Sequence, residues 1–479
     1  MVSNRTSGPS LVEVPGMLAR LGLAASLMLV ACDGAPPADA PAKPAAKPHP
    51  SPAADANPAP DAEPDAHATA SAIKGPCTDW SKQDLSDPAP LPESRYRRTL
   101  EQAWTLVLEK HYDPTLGCVD WPEARVRYGK KLAQTKDQTE AFAVINEMLD
   151  ELGQSHVKLF SGGSDEAMGP ASVGLGVRWI QGKLVVVDAP AGSAIKAGAV
   201  LEKVAGTPVS ELTARAEKRT ERAAEFATVT ARLAAAKLSC AAPGEARTVT
   251  LQGEAEPTSL TCIADASETM SLGNLTDVPT RVEHRMIKGT SVGVLGFNVW
   301  MLPMLPKLQA ALAELRAQGM TALVLDLRGN PGGVGPMAVS LARSLLTEPG
   351  SLGKLEMREF TQEFNVTPSA NPFTGPVALL VDEGTASTSE IFAAGMRDLG
   401  RVTIYGGGPS AGAALPSLIE QLDGGALFQY VVGDYHSPKG VLVEGLGVVP
   451  DHIVPETVAD FAAGRDPVLE AAVADLKGS

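Results

Sequence analysis

The chain has no excess of basic charge: 41 Lys and Arg stand against 56 Asp and Glu, a net charge of −15 over 479 residues. With no basic patch of note, nucleic acid and anionic membrane surfaces are excluded as partners. The apolar run near the N-terminus, Leu21 to Ala31, is too short to cross a bilayer as a permanent helix. Cysteine is scarce, with five residues and no CxxC pair, so the spacings do not suit a zinc knuckle and no metal site is expected. What is present, 44% hydrophobic and 20% charged residues, supports two or three cored domains and is not a disordered composition.

The N-terminus reads as an export signal. Arg20 precedes the apolar run, which ends in LVAC, Leu29 to Cys32. That ending resembles a bacterial lipobox, in which small residues precede a Cys that receives lipid and becomes the mature N-terminus. Residues 1–32 are therefore expected to be a lipoprotein signal and Cys32 the membrane anchor, with Met17 an alternative start. Between Asp33 and Ala70 lie ten Pro and fourteen Ala with almost no large apolar side chain. Such a stretch buries no core, and 33–75 is read as an extended tether. The expected location is the cell envelope, lipid-anchored, with the remainder in the periplasm or outside the cell. An exported chain meets an oxidising compartment, so Cys77, Cys118, Cys240 and Cys262 are candidates for disulfides. Sequence proximity favours Cys77–Cys118 and Cys240–Cys262 among the three connectivities.

Beyond the tether, three textures follow. Residues 76–168 show helical spacing, with Leu100, Trp104, Leu106 and Leu108 and then Phe142, Ile145, Met148 and Leu149, and are read as a helical domain. Residues 169–268 turn to strands, with a helix expected near Glu217–Lys237. From 269 to 479 strands and helices alternate: Val292–Trp300, a Leu308, Ala311, Leu312, Leu315 stripe ending at Gly319, then the buried runs Ala322–Leu327 and Val377–Val381. This alternation predicts an α/β domain with a mainly parallel sheet, whose sites lie at the C-terminal strand ends. RGNPGG (Arg328–Gly333) and GTASTSE (Gly384–Glu390) both fall at that edge.

GTASTSE crowds Thr385, Ser387, Thr388 and Ser389 where a strand should become a helix. Ser and Thr are favoured N-caps, so hydroxyls here can serve only to satisfy orphan N–H groups. A Ser at a helix start is also well placed as a nucleophile, because the helix end is electropositive and the next N–H points where an oxyanion forms. The glycines of RGNPGG let a carbonyl approach a second backbone donor.

DLRGNPGG (Asp326–Gly333), GTASTSEIFAAGMRDLGR (Gly384–Arg401) and EGLGVVPD (Glu444–Asp451) resemble the C-terminal-processing, or tail-specific, serine peptidases. The resemblance implies a crotonase-like α/β core preceded by a PDZ domain. GLGV (Gly174, Leu175, Gly176, Val177) resembles the carboxylate-binding loop of a PDZ domain, with GSAIKAG and VLEKVAGTPV following in order. The usual Pro-Gly-Asp after Gly198 is missing. Matching the nucleophile motif three residues before Glu390 selects Ser387, with Gly332 and Thr388 N–H groups as the oxyanion hole and Ser389 left as a cap.

The better-known branch of that family takes its base from a Lys about 25 residues after the nucleophile. Here that position is Gly412, and no Lys lies between Ser387 and Lys439. A second branch, resembling the tricorn core peptidase, uses an adjacent Ser-His pair, the nucleophile and a Glu. This chain offers Ser155, His156 and Glu444, and SAGAALPS (Ser410–Ser417) resembles the segment that replaces the Lys loop. His156 would take the proton from Ser387, with Ser155 linking His156 to Glu444. His436 is a reserve candidate, and His49 and His67 lie in the tether. Another departure is Gly406-Gly407-Gly408, where the family carries Gly-Glu.

The expectation is a serine peptidase acting on protein or peptide substrates, without metal or organic cofactor. The alternative is a catalytically silent lipoprotein that binds peptides or apolar ligands on the same fold. The sequence leaves oligomeric state, cleavage specificity and endo- versus carboxypeptidase character open.

Overall fold

The computed structural model describes residues 76–477, apart from 161–167, 219, 221–222, 266 and 273–274. Cys32, the tether, His49 and His67 lie outside the described residues. Three helices open the described chain: Arg97–Lys110, Trp121–Leu132 and Gln138–Asp150. The second and third start where Asp120 and Asp137 accept the N–H groups of Glu123 and Glu140, filling donors that a helix start leaves unpaired. Trp104 and Trp121 lock the first two together, each indole N–H donating to the other residue's carbonyl, at 2.9 and 3.1 Å.

This helical layer does not close on itself. Its core is completed by Leu415, Leu422, Phe428, Tyr430 and Val431, and the last three lie on the hairpin Ser417–Gln421 and Leu427–Val431. The short strand Lys158–Phe160 adds to that hairpin, with Leu159 opposite Phe428. The turn holding Ser155 and His156 is thereby carried to the far end of the chain. Cys77 is bonded to Cys118, and Cys240 to Cys262.

The next region is an antiparallel sheet in the order Gly176–Ile180, Lys183–Asp188, Val200–Val204, Ala246–Leu251, Thr258–Thr261, with Thr207–Pro208 beside Val200–Val204. In place of the one helix expected near Glu217–Lys237 there are two, Val209–Glu217 and Ala223–Leu238, the second packed on Gly176–Ile180. Gly198 packs closely on Ala462, where a Cβ would meet the backbone at 2.4 Å.

The last region holds a six-stranded sheet ordered Val282–Met286, Val292–Phe297, Ala322–Asp326, Val377–Val381, Thr403–Gly406, His452–Ile453, parallel after its first pair. Its strands read as unbroken apolar runs because both faces are covered. Leu323, Leu325, Leu379 and Val381 face the helices Leu305–Ala317, Gly335–Ala342 and Thr388–Asp398. The alternate residues Ala322, Val324, Ala378 and Leu380 face Val468, Ala472 and Val473 of the final helix, Pro467–Lys477.

Candidate active site

Two neighbouring parallel strands end side by side, at Asp326 and Val381. The first feeds the glycine loop Arg328–Gly333, the second the turn Asp382–Ser387 and the helix Thr388–Asp398. Ser387 sits at the helix start with φ of 56°, in the left-handed region that L-residues avoid. Its carbonyl takes the N–H groups of Glu390 and Ile391, at 2.8 and 3.0 Å, so these two helix-start donors are served by backbone. Its own N–H lies 2.9 Å from Ala413 O and 3.0 Å from Glu390 Oε2.

Glu390 is fully buried, and its carboxylate accepts from Ser410 Oγ (2.5 Å), Gly412 N (2.7 Å), Ala413 N (2.9 Å) and Ser387 N (3.0 Å). Burial pushes its pKa up to about 7 despite these four donors. The carboxylate therefore fastens the nucleophile turn to the segment 410–413.

The next residue of that segment reaches the other half of the site. Ala414 N–H donates to Glu444 Oε2 at 2.9 Å, and Glu444 also accepts Ser155 N–H (3.0 Å) and Ser155 Oγ–H (3.0 Å). Ser155 Oγ lies 2.8 Å from His156 Nδ1. A hydroxyl has one proton, and this one goes to the carboxylate. The contact with the ring is therefore Nδ1–H donating to Oγ, which places the acceptor lone pair of neutral His156 on Nε2. His156, like Ser387, is half-buried. Behind this turn, Gln154 Oε1 is 2.6 Å from Nε2 of the buried His111, and Gln154 Nε2 donates to Tyr112 Oη at 3.4 Å. Ser155, His156, Glu444 and Ser387 are thus linked through one pair of adjacent residues, Ala413 and Ala414. His436 is elsewhere, 3.3 Å from both Glu356 and Asp434.

Gly332 lies against the nucleophile: a Cβ there would stand 2.6 Å from Ser387 Cβ and 2.9 Å from Thr388 N. Its N–H donates to Asn330 Oδ1 at 3.0 Å, so an oxyanion at this spot competes with Asn330 for that donor. Ser389 is not a cap. Its buried hydroxyl donates to Asn330 O at 3.0 Å and accepts Trp300 Nε1–H at 2.8 Å, because the glycine loop, rather than solvent, covers this side of the helix.

Several contributors carry no sequence signal of their own. Arg178, two residues beyond Gly176, reaches Glu383 (2.8 Å) and Glu456 (2.9 Å), with Asp382 at 3.8 Å. Burial opposes its charge, but the three carboxylates hold its pKa well above the usual range. Asp382 is pushed up to about 6 by burial and by Glu383, with Arg178 pulling the other way. Within the Gly406–Gly408 stretch, a Cβ on Gly407 would meet Glu456 Oε2 at 2.8 Å and one on Gly406 would meet Val381 O at 2.7 Å. Gly174, at φ of +74°, turns the chain into the strand that carries Arg178. Arg328 pairs with Asp326 (2.7 Å) and Asp466 (2.8 Å), tying the glycine loop to the final helix.

Residues 291–454, which contain the glycine loop, Ser387 and Glu444, match the family described as peptidase family S41. Residues 92–150 match the tricorn protease C1 domain. The region that holds the glycine loop, Ser387 and Glu444 is thus a peptidase family S41 domain. Among relatives of this chain, a carboxyl-terminal-processing protease of Synechocystis is 26% identical over 384 residues, covering 79% of this chain and 86% of the relative. A probable CtpA-like serine protease of Staphylococcus epidermidis is 30% identical over 166 residues, and the match spans 34% of each chain. Among solved structures, the photosystem II D1 C-terminal processing protease is 22% identical with a TM-score of 0.51, covering 76% of this chain and 94% of that one, a likeness of fold. Ser155 and His156 fall between the two matched segments.

Proposed function

We propose that this S41 serine peptidase hydrolyses peptide bonds in proteins or peptides through an acyl-enzyme on Ser387, with His156 as its base. The observation that carries the reading is the chain of hydrogen bonds from His156 Nδ1 through Ser155 to Glu444, whose carboxylate also takes Ala414 N–H while the neighbouring Ala413 carbonyl takes Ser387 N–H. The core is of the crotonase-like kind.

In the acylation step Ser387 Oγ attacks the scissile carbonyl carbon as His156 Nε2 takes the hydroxyl proton. The imidazolium is stabilised by the negative charge of Glu444, transmitted through Ser155. The oxyanion receives the N–H of Thr388, a helix-start donor without an intrahelical acceptor, and that of Gly332 as it leaves Asn330 Oδ1. Collapse breaks the C–N bond, and His156 returns its proton to the leaving amine. Water then gives a proton to His156 and attacks the ester, and the Ser387 Oγ–carbon bond breaks as His156 returns that proton to Oγ, releasing a carboxylate-ended fragment and the free enzyme.

The Gly174–Val177 loop opens a PDZ-like domain that recruits peptide by strand addition, and Arg178 on the following strand ties that domain to the nucleophile turn. Cys32 carries the lipid that holds the enzyme to an envelope membrane. The decisive experiment compares cleavage of an unfolded protein by the soluble form starting near Ser71 with that by Ser387→Ala and His156→Ala, mapping products by mass spectrometry. Loss of cutting in both, with folding intact, supports the reading. Undiminished cutting by either overturns it, and a folded parent that binds but never cuts supports a silent peptide-binding protein.

A further inference from the structure

The hydroxyls around Ser387 share one task. Thr385 Oγ1 donates to Leu327 O at 2.8 Å, Ser389 Oγ to Asn330 O at 3.0 Å and Thr388 Oγ1 to Gly333 O at 2.7 Å. Three side chains of the turn and helix start around Ser387 thus hold three carbonyls of the opposing segment, from Leu327, just before the glycine loop, to Gly333 at its end. Asp382 Oδ1 adds a fourth tie, accepting Gly329 N–H at 2.8 Å and Gly384 N–H at 2.9 Å.

The loop needs such ties at its far end. Gly332 and Gly333 have φ of +96° and +141°, conformations with no side chain to fix them by packing. Side chains are excluded on both sides, because a Cβ on Gly332 would strike Ser387 and one on Gly333 would stand 2.3 Å from Trp300 O. Close approach without side chains leaves backbone hydrogen bonds to set the separation. Trp300 supplies two, its N–H to Gly332 O at 2.9 Å and its carbonyl to Val334 N–H at 2.7 Å. Thr388 supplies the one that crosses to the helix. It is 2% exposed, so no bulk water competes for that bond.

We infer that Thr388 is a positioning residue with two linked parts. Its hydroxyl holds the Gly333 carbonyl, and so fixes the glycine-loop donor at the distance from which it and the Thr388 N–H reach a single oxygen. The inference rests on the reading of Ser387 as nucleophile, and the role concerns the transition state, because the ground-state carbonyl makes weaker use of both donors.

Valine and serine separate this role from packing. Thr388→Val keeps the shape, the β-branch and the backbone N–H but removes the hydroxyl. Thr388→Ser keeps the hydroxyl and loses a methyl group. For a buried side chain with a purely structural role, Val is the milder change of volume. The positioning role ranks them the other way. Three quantities are measured: kcat and KM on a cleavable peptide, the rate of Ser387 capture by a peptidyl phosphonate whose adduct carries the tetrahedral oxyanion, and binding of the uncleaved peptide in a Ser387→Ala background.

The expected result is that Thr388→Val lowers kcat and phosphonate capture together by about 30- to 100-fold, with KM and ground-state binding within about twofold. Thr388→Ser retains at least about a third of the parent kcat. Thr388→Ala, free of the branched side chain, repeats the loss if valine fails to fold. The inference is overturned if Val matches or exceeds Ser in kcat, if Ala keeps the parent kcat, or if capture stays at the parent rate while kcat falls. Failure of the nucleophile reading looks different: the phosphonate then labels a residue other than Ser387, or Ser387→Ala cuts as fast as the parent.

Discussion

Glu390 and Glu444 each gather the N–H and O–H donors of one half of the site, but at different depths. Glu390 is fully buried with four donors, one of them the Ser387 N–H, and belongs to the half built from neighbouring strand ends. Glu444 is half-buried on a loop flanked by the exposed Leu442 and Leu446, and its donors come from Ser155 and Ala414. The nucleophile half is held by the sheet itself. In the base half, Ser155 meets Glu444 across 289 positions of sequence, and the strand Lys158–Phe160 carries the turn to the hairpin. Rigidity and reach are thus divided between two acids of the same type.

Removing the chemical groups should have the largest effect and tests both halves equally. Ser387→Ala and His156→Ala are each expected to lower kcat by at least about 10⁴-fold with unfolding midpoints near the parent's, and the double variant should lose little more. An additive double variant would break the idea of one catalytic unit. Glu444→Gln comes next, with an expected loss of about 10²-fold in kcat and a smaller change in the urea midpoint than Glu390→Gln, since the half-buried site loses less when the amide N–H₂ faces the Ser155 or Ala414 N–H.

Glu390→Gln should do the opposite. Its amide N–H₂ would face two N–H donors, and a stability loss of about 2–3 kcal/mol should accompany the loss of activity. Equal stability losses for the two Gln variants would erase the contrast between them. Arg178→Met probes the outer support of the nucleophile half, leaving Asp382, Glu383 and Glu456 without that partner, and should cost about 3 kcal/mol in chemical denaturation.

The effect of pH needs no substitution. Glu390 and Asp382 have pKa values raised by burial to about 7 and about 6, above the ordinary 4.5 and 3.8 of Glu and Asp side chains. For such acids the folded state binds the proton more tightly. Their contribution to stability is complete below the unfolded values and is lost as pH rises through the folded ones. The urea midpoint should therefore decline between about pH 4.5 and pH 7, with Glu390 accounting for at most roughly 3 kcal/mol. A midpoint that rises across that window would refute the assignment.

Much of the nucleophile half was legible in the sequence because it is local. Unbroken apolar runs such as VALLV mark strands covered on both faces, and the glycine and hydroxyl clusters follow them directly. Ser387 and Glu390 are three apart on one helix start. The base half offered only residue types: Ser155, His156 and Glu444 have no spacing that announces a contact, and a family pattern was needed to group them. Arg178 was illegible for the same reason, as its partners lie more than 200 residues away. Ser389 was misread because a hydroxyl at a helix start looks like a cap whether or not a second loop covers it.

The shared core between the N-terminal helices and the hairpin Leu427–Val431 has a consequence for the order of events during synthesis. The helices emerge first, yet their apolar faces wait for Phe428, Tyr430 and Val431, so this region stays unfinished until the chain has been made as far as Val431. The same hairpin brings Lys158–Phe160, and with it the His156 turn, into place. On the proposed roles, the newborn chain therefore carries Ser387 and His156 apart until the hairpin has been made as far as Val431, and cutting competence begins only after that point.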